Sequence, residues 1–278
     1  MKFPKSTKGM RKVEISYTTA PLSEYIGSQI YKVLGYDVHE TKLGIWNGKL
    51  VVACKDFAKP DLQLQEFREI KNYYNQKLEE ILDHTITESR SGHGTSLAAV
   101  KIHLQYNPLL SKVMGIRERF WDCVIVDGLI NNNDRNSGNW GVLRKFNGEM
   151  ILAPIFDNGA SFSTKLSDGQ IQRLLTDESK LASSAMNTIT GYNLDGKVLH
   201  FKELLNMQEV DLNHAILRVV PLICSHWQDI ENVIREIPNE YQGISIISEA
   251  RKDFYLKGME MRLKQQIIPV FEKLQSQE

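Results

Sequence analysis

The sequence predicts an α+β fold in which a small sheet with one helix precedes a larger, mainly helical part. Three observations lead there. Two strand-like runs, residues 39–46 and 50–54, bracket Asn47-Gly48, a dipeptide that supplies the left-handed backbone a two-residue hairpin needs. From Asp61 onward apolar residues recur mostly at helical spacing. A second hairpin, turning at Phe146-Asn147-Gly148, interrupts the helical part between two polar loops.

Each element follows in order. Leu22, Tyr25, Ile26, Ile30, Val33 and Leu34 share one helical face behind Pro21 and Ser23, and Gly35 is a stop signal. With the first hairpin, this makes residues 1–54 a small sheet carrying one helix. Segments 62–84, 97–104 and 116–130 read as amphipathic or buried helices, and 140–144 and 150–155 as short strands. The Ser-, Thr-, Asp- and Asn-rich stretch 160–195 reads as irregular apart from a short helix at 171–175. Beyond it, 202–274 alternates helical runs with breakers at Pro221, Pro238 and Gly243. It closes on a long helix whose apolar positions include Phe254, Met261, Leu263, Ile267, Ile268 and Phe271.

Composition narrows the function classes. At 278 residues and 42% hydrophobic content the chain buries a substantial core, as one large domain or a two-lobed one. Lys+Arg and Asp+Glu are equal at 34 each, so global charge gives no reason to expect direct nucleic-acid binding or an anionic membrane surface, although local basic patches remain compatible. Its apolar runs fall short of the roughly 20 residues that span a bilayer. Cys54, Cys123 and Cys224 are widely spaced without a CxxC pair, and no secretory leader is recognisable; a reducing, cytoplasmic setting is expected. Cys54 and Cys123 read as packing residues. The seven histidines lack HExxH or paired ligand spacing, so no zinc site is expected.

The chemistry concentrates in Asn131-Asn132-Asn133-Asp134-Arg135-Asn136-Ser137-Gly138-Asn139-Trp140 and in Ala153-Pro154-Ile155-Phe156-Asp157-Asn158-Gly159. Asp134 and Asn139 stand five positions apart on a polar loop, Asp157 ends an apolar run, and the hairpin between them folds all three into one neighbourhood. A carboxylate can align a hydroxyl for in-line attack, while an amide oxygen and a second carboxylate suit Mg²⁺, which prefers hard oxygen ligands. These are the parts of a phosphoryl-transfer site. Plain turn chemistry is the competing reading of so many Asn, Asp and Gly residues, and the paired Asp157 weighs against it. Arg117, Arg119 and Arg135 could flank an acidic or phosphorylated substrate, or be solvated or paired to carboxylates of the chain.

Six segments in order, SEYIGSQI, LGYDVHETKLG, VVACKDF, FWDCVIVDGLI, DRNSGNWG and APIFDNG, resemble the HipA-like serine/threonine kinases, in particular their short CtkA-type members. The resemblance runs from about Lys2 to the C-terminal helix. It implies a two-lobed, protein-kinase-like α+β fold with a small β-rich N-lobe and hinge over residues 1–57 and a helical C-lobe over 58–278. It further implies an ATP- and Mg²⁺-dependent kinase acting on protein Ser or Thr, with Asp134 catalytic and Asn139 and Asp157 binding metal. By the same resemblance Lys2 contacts the ATP phosphates, Glu24 positions that lysine, and backbone groups of Lys55 and Phe57 hold adenine. Taken alone, Lys2 could be a mobile terminal residue, and Glu24 an ordinary first-turn acid favoured by the helix dipole.

The family includes growth-inhibiting toxin kinases restrained by a DNA-binding antitoxin, and that partner is implied here. Two departures stand out. Asn136 occupies a position where the family commonly has His, and an amide cannot become cationic near neutral pH. The family's Gly-rich loop precedes the lysine strand, whereas this sequence opens at Met1-Lys2. The N-lobe is therefore expected to be incomplete, its Gly-rich loop lost, supplied by a further chain as a completing partner, or encoded ahead of a start set too late, and Gly92-His93-Gly94 is expected as a loop on the substrate side. A non-catalytic pseudokinase, part of a split kinase, and a lipid or small-molecule kinase remain as alternative readings.

Overall fold

The computed structural model describes residues 1–82 and 94–277. Helix α1 (Ala20–Val33) begins with Pro21 in its first turn, where a missing N–H costs nothing, and Gly35 leaves it with φ +81°. Leu22, Ile26, Ile30 and Tyr31 are its fully buried face. Strands β1 (Thr41–Trp46) and β2 (Lys49–Cys54) form the expected antiparallel hairpin, with Trp46 opposite Lys49 and both Asn47 and Gly48 at positive φ. Lys2 adds a bridge on the other edge of β2, exchanging backbone hydrogen bonds with Val52 at 2.8 and 3.2 Å.

Next come β3 (Leu62–Glu66), α2 (Phe67–Leu82), β4 (Thr95–Ser96), α3 (Leu97–Tyr106), α4 (Ile116–Ile130), β5 (Gly141–Lys145) and β6 (Met150–Leu152). The helix expected over 62–84 is corrected here: residues 62–66 are extended and pair antiparallel with β5. The segment Leu-Gln-Leu-Gln-Glu alternates with period two, which a strand uses and a helix does not. Positions 83 and 84 lie outside the described residues, as do Gly92 and His93. Sheet β3-β5-β6 carries the second hairpin, with Gly148 at φ +84° in its turn.

Stretch 160–195 is also corrected. It contains α5 (Asp168–Leu175), α6 (Glu178–Met186) and β7 (Ile189–Leu194), the last pairing with β8 (Lys197–His200). The polar residues that suggested irregular chain are caps: Ser167 and Gln170 form a capping box on α5, and Asp177 accepts from the Lys180 amide on α6. The chain ends with α7 (Phe201–Leu205), α8 (Val210–Ser225), α9 (Trp227–Arg235), a short hairpin of β9 (Glu240–Tyr241) and β10 (Ile244–Ser245), α10 (Glu249–Arg262), a π turn (Leu263–Ile267) and α11 (Ile268–Gln275). Pro221, expected as a breaker, sits inside α8, and the helix continues four residues past it.

Helix α4 is the centre of the core. Every residue from Phe120 to Ile130 is buried, against α8, α10 and β7. Gly128 permits this packing, since a Cβ there would lie 2.1 Å from the Phe201 ring. One contiguous apolar cluster joins α1 through α4 to α8 and α10. Among the described residues, no helix is long and apolar enough to cross a membrane.

Candidate active site

A buried carboxylate in the middle of an apolar helix must find donors, and Asp127 on α4 finds four. Arg135 binds it through Nε and Nη2 at 2.8 and 2.9 Å, the Tyr31 hydroxyl donates at 2.9 Å, and Asn132 Nδ2 at 3.0 Å. Burial alone would lower the Arg135 pKa, but Asp127 overrides it and the guanidinium is held well above its ordinary value. The same Arg135 donates to the Asn139 carbonyl at 3.0 Å, to the Phe156 carbonyl, and to Asn158 Oδ1 at 2.6 Å. It therefore ties the end of α4 to both polar loops.

This corrects the idea that Arg135 faces a substrate, since its side chain is 2% exposed. Arg117 is paired with Asp211 at 2.6 Å, and Arg119 lies over the Tyr36 ring and reaches the Asp37 carbonyl. All three arginines are engaged by the chain itself.

Asp134 is exposed in the first loop. Its Oδ1 accepts from Asn136 Nδ2 at 2.9 Å, and its carbonyl accepts from Asn139 Nδ2 at 2.5 Å. Asn136 is fixed in turn by the Gly138 amide, which donates to its Oδ1 at 2.8 Å. With Asn139 Nδ2 committed to the loop, its Oδ1 remains as an acceptor.

Asp157 has φ +62°, a left-handed conformation unusual for a non-glycine residue and common where a functional side chain is held in place. Lys2 Nζ lies 2.6 Å from Asp157 Oδ1 and 2.7 Å from Glu24 Oε2, so one ammonium bridges two carboxylates from distant parts of the chain. Glu24, in the first turns of α1, is fully buried. Its Oε1 accepts from the Asn158 amide at 3.0 Å and lies 2.9 Å from His39 Nε2.

Burial would raise the Glu24 pKa, but the His39 hydrogen bond and the Lys2 charge outweigh it and hold it down to about 2. Lys2 is shifted upward, its burial overcome by Glu24 and Asp157. Ser28 completes the network, accepting from Asn158 Nδ2 at 3.0 Å and lying 3.1 Å from His39 Nε2. Gly27 allows α1 to approach this closely, because a Cβ there would meet Asn158 Cβ at 2.8 Å.

At the end of β2, the Lys55 amide donates to the Glu40 carbonyl at 2.9 Å and its ammonium pairs with the Glu40 carboxylate at 2.7 Å. The Lys55 carbonyl is thus the polar backbone group left for another partner. Phe57 packs its ring on Phe156 at 5.6 Å, next to Asp157. Lys2, Glu24 and Asp157 are in direct contact, as are Asp134 and Asn139, and Arg135 joins the two sets. Phe57 reaches them through Phe156, whereas Lys55 engages Glu40. Glu24, His39 and Cys54 also bring ligand-type atoms within 4.8 Å of one another. Glu24 is committed to Lys2, and burial pushes the Cys54 thiol up, away from the thiolate that metals bind.

No protein-family model matches the sequence. The serine/threonine-protein kinase CtkA of Helicobacter pylori (strain J99) is 32% identical over 275 residues, covering 97% of this chain and 77% of that protein. This chain belongs to the HipA-like serine/threonine kinase family, among its CtkA-type members. A crystal structure described as the Helicobacter pylori proinflammatory kinase CtkA superposes with a TM-score of 0.81 at 28% identity, covering 94% of this chain and 85% of that one. The two-lobed kinase-like α+β fold is therefore the fold of this HipA-like chain. A looser likeness, with a TM-score of 0.46 at 13% identity, is to HipA of Shewanella oneidensis MR-1 in complex with HipB and operator DNA, covering 97% of this chain and 59% of that one.

Several residues of the site escaped the sequence reading of this HipA-like chain: His39, Ser28, Asn158, Asp127 and Arg135 as a tether. One signal was available. Asp127 interrupts the run Val124-Ile125-Val126 and Gly128-Leu129-Ile130, and a charge on a helix apolar all round requires a buried partner.

Proposed function

We propose that this protein is an ATP- and Mg²⁺-dependent serine/threonine protein kinase with residues 1–57 as its smaller lobe and hinge and 58–278 as its larger lobe. The observation that carries this reading is the Lys2 ammonium seated between Glu24 and Asp157. A lysine fixed by a buried acid on α1, beside an acid at the mouth of a loop, is the arrangement a kinase uses to grip nucleotide phosphates.

The residues also fit a hard cation. Asn139 Oδ1 is left as an acceptor once its Nδ2 is bound, and the Asp157 side chain is 40% exposed. Asn139 and Asp157 would hold Mg²⁺, which when bound neutralises charge on the phosphates. Asp134 orients the acceptor hydroxyl and takes a hydrogen bond from it, while Asn136 holds that carboxylate in place. The hydroxyl oxygen forms its bond to the terminal phosphorus as the bond to the bridging oxygen breaks, and ADP leaves. Lys2 balances phosphate charge, and the Lys55 carbonyl and Phe57 amide supply the adenine contacts. A toxin role and a DNA-binding antitoxin come from the family resemblance, and a cytoplasmic location from the widely spaced, unpaired cysteines.

Incubating the protein with labelled ATP, Mg²⁺ and a Ser- and Thr-containing acceptor protein tests the reading directly. Label should be transferred by the unaltered chain and lost in Asp157→Ala. Equal transfer by both would remove Asp157 from the mechanism.

A further inference from the structure

With Arg117, Arg119 and Arg135 all engaged, the cations left open lie elsewhere. Lys5, Lys8, Arg11 and Lys12 put four positive charges into eight residues, with no acid before Glu14. All four are exposed, and among the described residues none forms an ion pair.

The loop that bears them is ordered by its own backbone. Thr18 donates to the Lys5 carbonyl at 2.9 Å, Thr7 to Ser16 at 3.1 Å, and Met10 to Thr7 at 2.9 Å. Its acid, Glu14, is taken by Arg173 at 2.9 Å and by the Ser167 hydroxyl, and Gln170 donates to the Lys12 carbonyl at 3.5 Å. The Thr19 amide donates to the Thr164 carbonyl at 3.0 Å. One end of the loop thus leads from Lys2, which touches Asp157, and its body rests on residues 164–173, the chain leaving the Asp157 loop. The open charges are carried on a loop whose two attachments, Lys2 and residues 164–173, both lead into the Asp157 loop.

Resting on the kinase reading above, we propose that residues 5–12 form a docking surface for an acidic, Asp- and Glu-rich segment of the protein substrate next to its acceptor hydroxyl. Charge complementarity selects this occupant. The segment 5–12 has no aromatic residue on which a base could stack, and the chain as a whole carries no net positive charge with which to attract a polyanion from a distance. A short run of cations on this loop instead fits a short run of carboxylates.

The test uses the full chain and two Ser-containing peptides of equal length, one flanked by Glu and Asp and the other by Lys and Arg. Two variants accompany it: the quadruple Lys5→Glu, Lys8→Glu, Arg11→Glu, Lys12→Glu, and the milder Lys8→Ala, Arg11→Ala. Circular dichroism and thermal midpoint monitor their folding. The unaltered protein should phosphorylate the acidic peptide with a KM about tenfold lower, equivalent to about 1.4 kcal/mol. Charge reversal, or 1 M salt, where the Debye length falls to about 3 Å, should erase that preference while KM for ATP stays within about twofold in the variant.

No peptide preference, or a charge reversal that raises KM for ATP instead, overturns the proposal; so does a dT oligonucleotide of equal charge that binds more tightly than the acidic peptide. Fluorescence anisotropy of labelled peptide separates this outcome from failure of the kinase reading. If neither peptide is phosphorylated, tighter binding of the acidic peptide to the unaltered chain than to the quadruple variant still supports the surface, and equal binding refutes it.

Discussion

Asn136 Nδ2 donates to Asp134 Oδ1 at 2.9 Å while the Gly138 amide holds Asn136 Oδ1 at 2.8 Å. The side chain standing where the family commonly has histidine is therefore a clamp between the loop backbone and the candidate catalytic carboxylate. It performs this task without a charge.

If Asp134 must be held in one orientation to align a hydroxyl, Asn136→Ala should lower kcat about tenfold and leave KM for ATP nearly unchanged. Asn136→His, whose ring N–H can also donate, should recover much of the loss and add a pH dependence near 6.5 from the new imidazole. Steady-state transfer from labelled ATP measures both. An unchanged kcat in Asn136→Ala would show that Asp134 needs no clamp.

His39 holds the other end of the site. It lies 2.9 Å from Glu24 Oε1, and removing one donor from a fully buried carboxylate costs about 1–3 kcal/mol. His39→Ala should lower stability by that amount in urea denaturation and raise KM for ATP, because Glu24 then fixes Lys2 less well. His39→Gln, which can still donate, should fall between the two. A His39→Ala protein of full stability would place His39 outside the network.

Local signals explain what the sequence made legible. Asn47-Gly48 needs only its own backbone to specify a hairpin, and α4 was readable end to end because Gly115 precedes Ile116 and its apolar run stops at Asn131. Asp157, nominated by its own loop, and Lys2 and Glu24, nominated by family resemblance, do meet. Strand β3 was missed because its identity depends on β5, some 75 residues later in the chain, and the helical pattern of α2 follows it without a break. Segment 160–195 was misread because Ser167 and Asp177, taken as loop formers, act as helix caps. Asn158 was hidden by chemistry that sequence spacing does not display: its amide and side-chain nitrogen go to Glu24 and Ser28 on α1, and its side-chain oxygen to Arg135 in the loop after α4.

The Glu24 carboxylate gives the fold an acid limit. Its folded-state pKa of about 2 lies below the ordinary 4.5, so the stability it contributes is complete above about pH 4.5 and is lost as pH falls toward 2. A shift of that size is worth about 3 kcal/mol at neutral pH. Glu24→Gln should be less stable than the unaltered chain at pH 7, and the gap between them should narrow steadily between pH 4.5 and 3. Urea denaturation across that range measures it. A gap independent of pH would mean that the loss comes from packing rather than from the charge.

Arg135 and Asp127 are both buried, so neither charge can turn to water when its partner is removed. Arg135→Met should therefore cost about 3–5 kcal/mol, the range for breaking a buried pair. Asp127→Leu together with Arg135→Met removes both charges and should recover the part of that loss that comes from the unpaired carboxylate, but not the part that comes from the polar groups around it that lose a partner. Phosphoryl transfer should not recover with it. The guanidinium also holds the Asn139 and Phe156 carbonyls and Asn158 Oδ1, and methionine can donate to none of them. Thermal denaturation and transfer assays on the two variants separate these contributions: a double variant that regains both stability and activity would reduce Arg135 to the counter-ion of Asp127, whereas partly regained stability with lost activity identifies it as the residue that sets the spacing between the two loops.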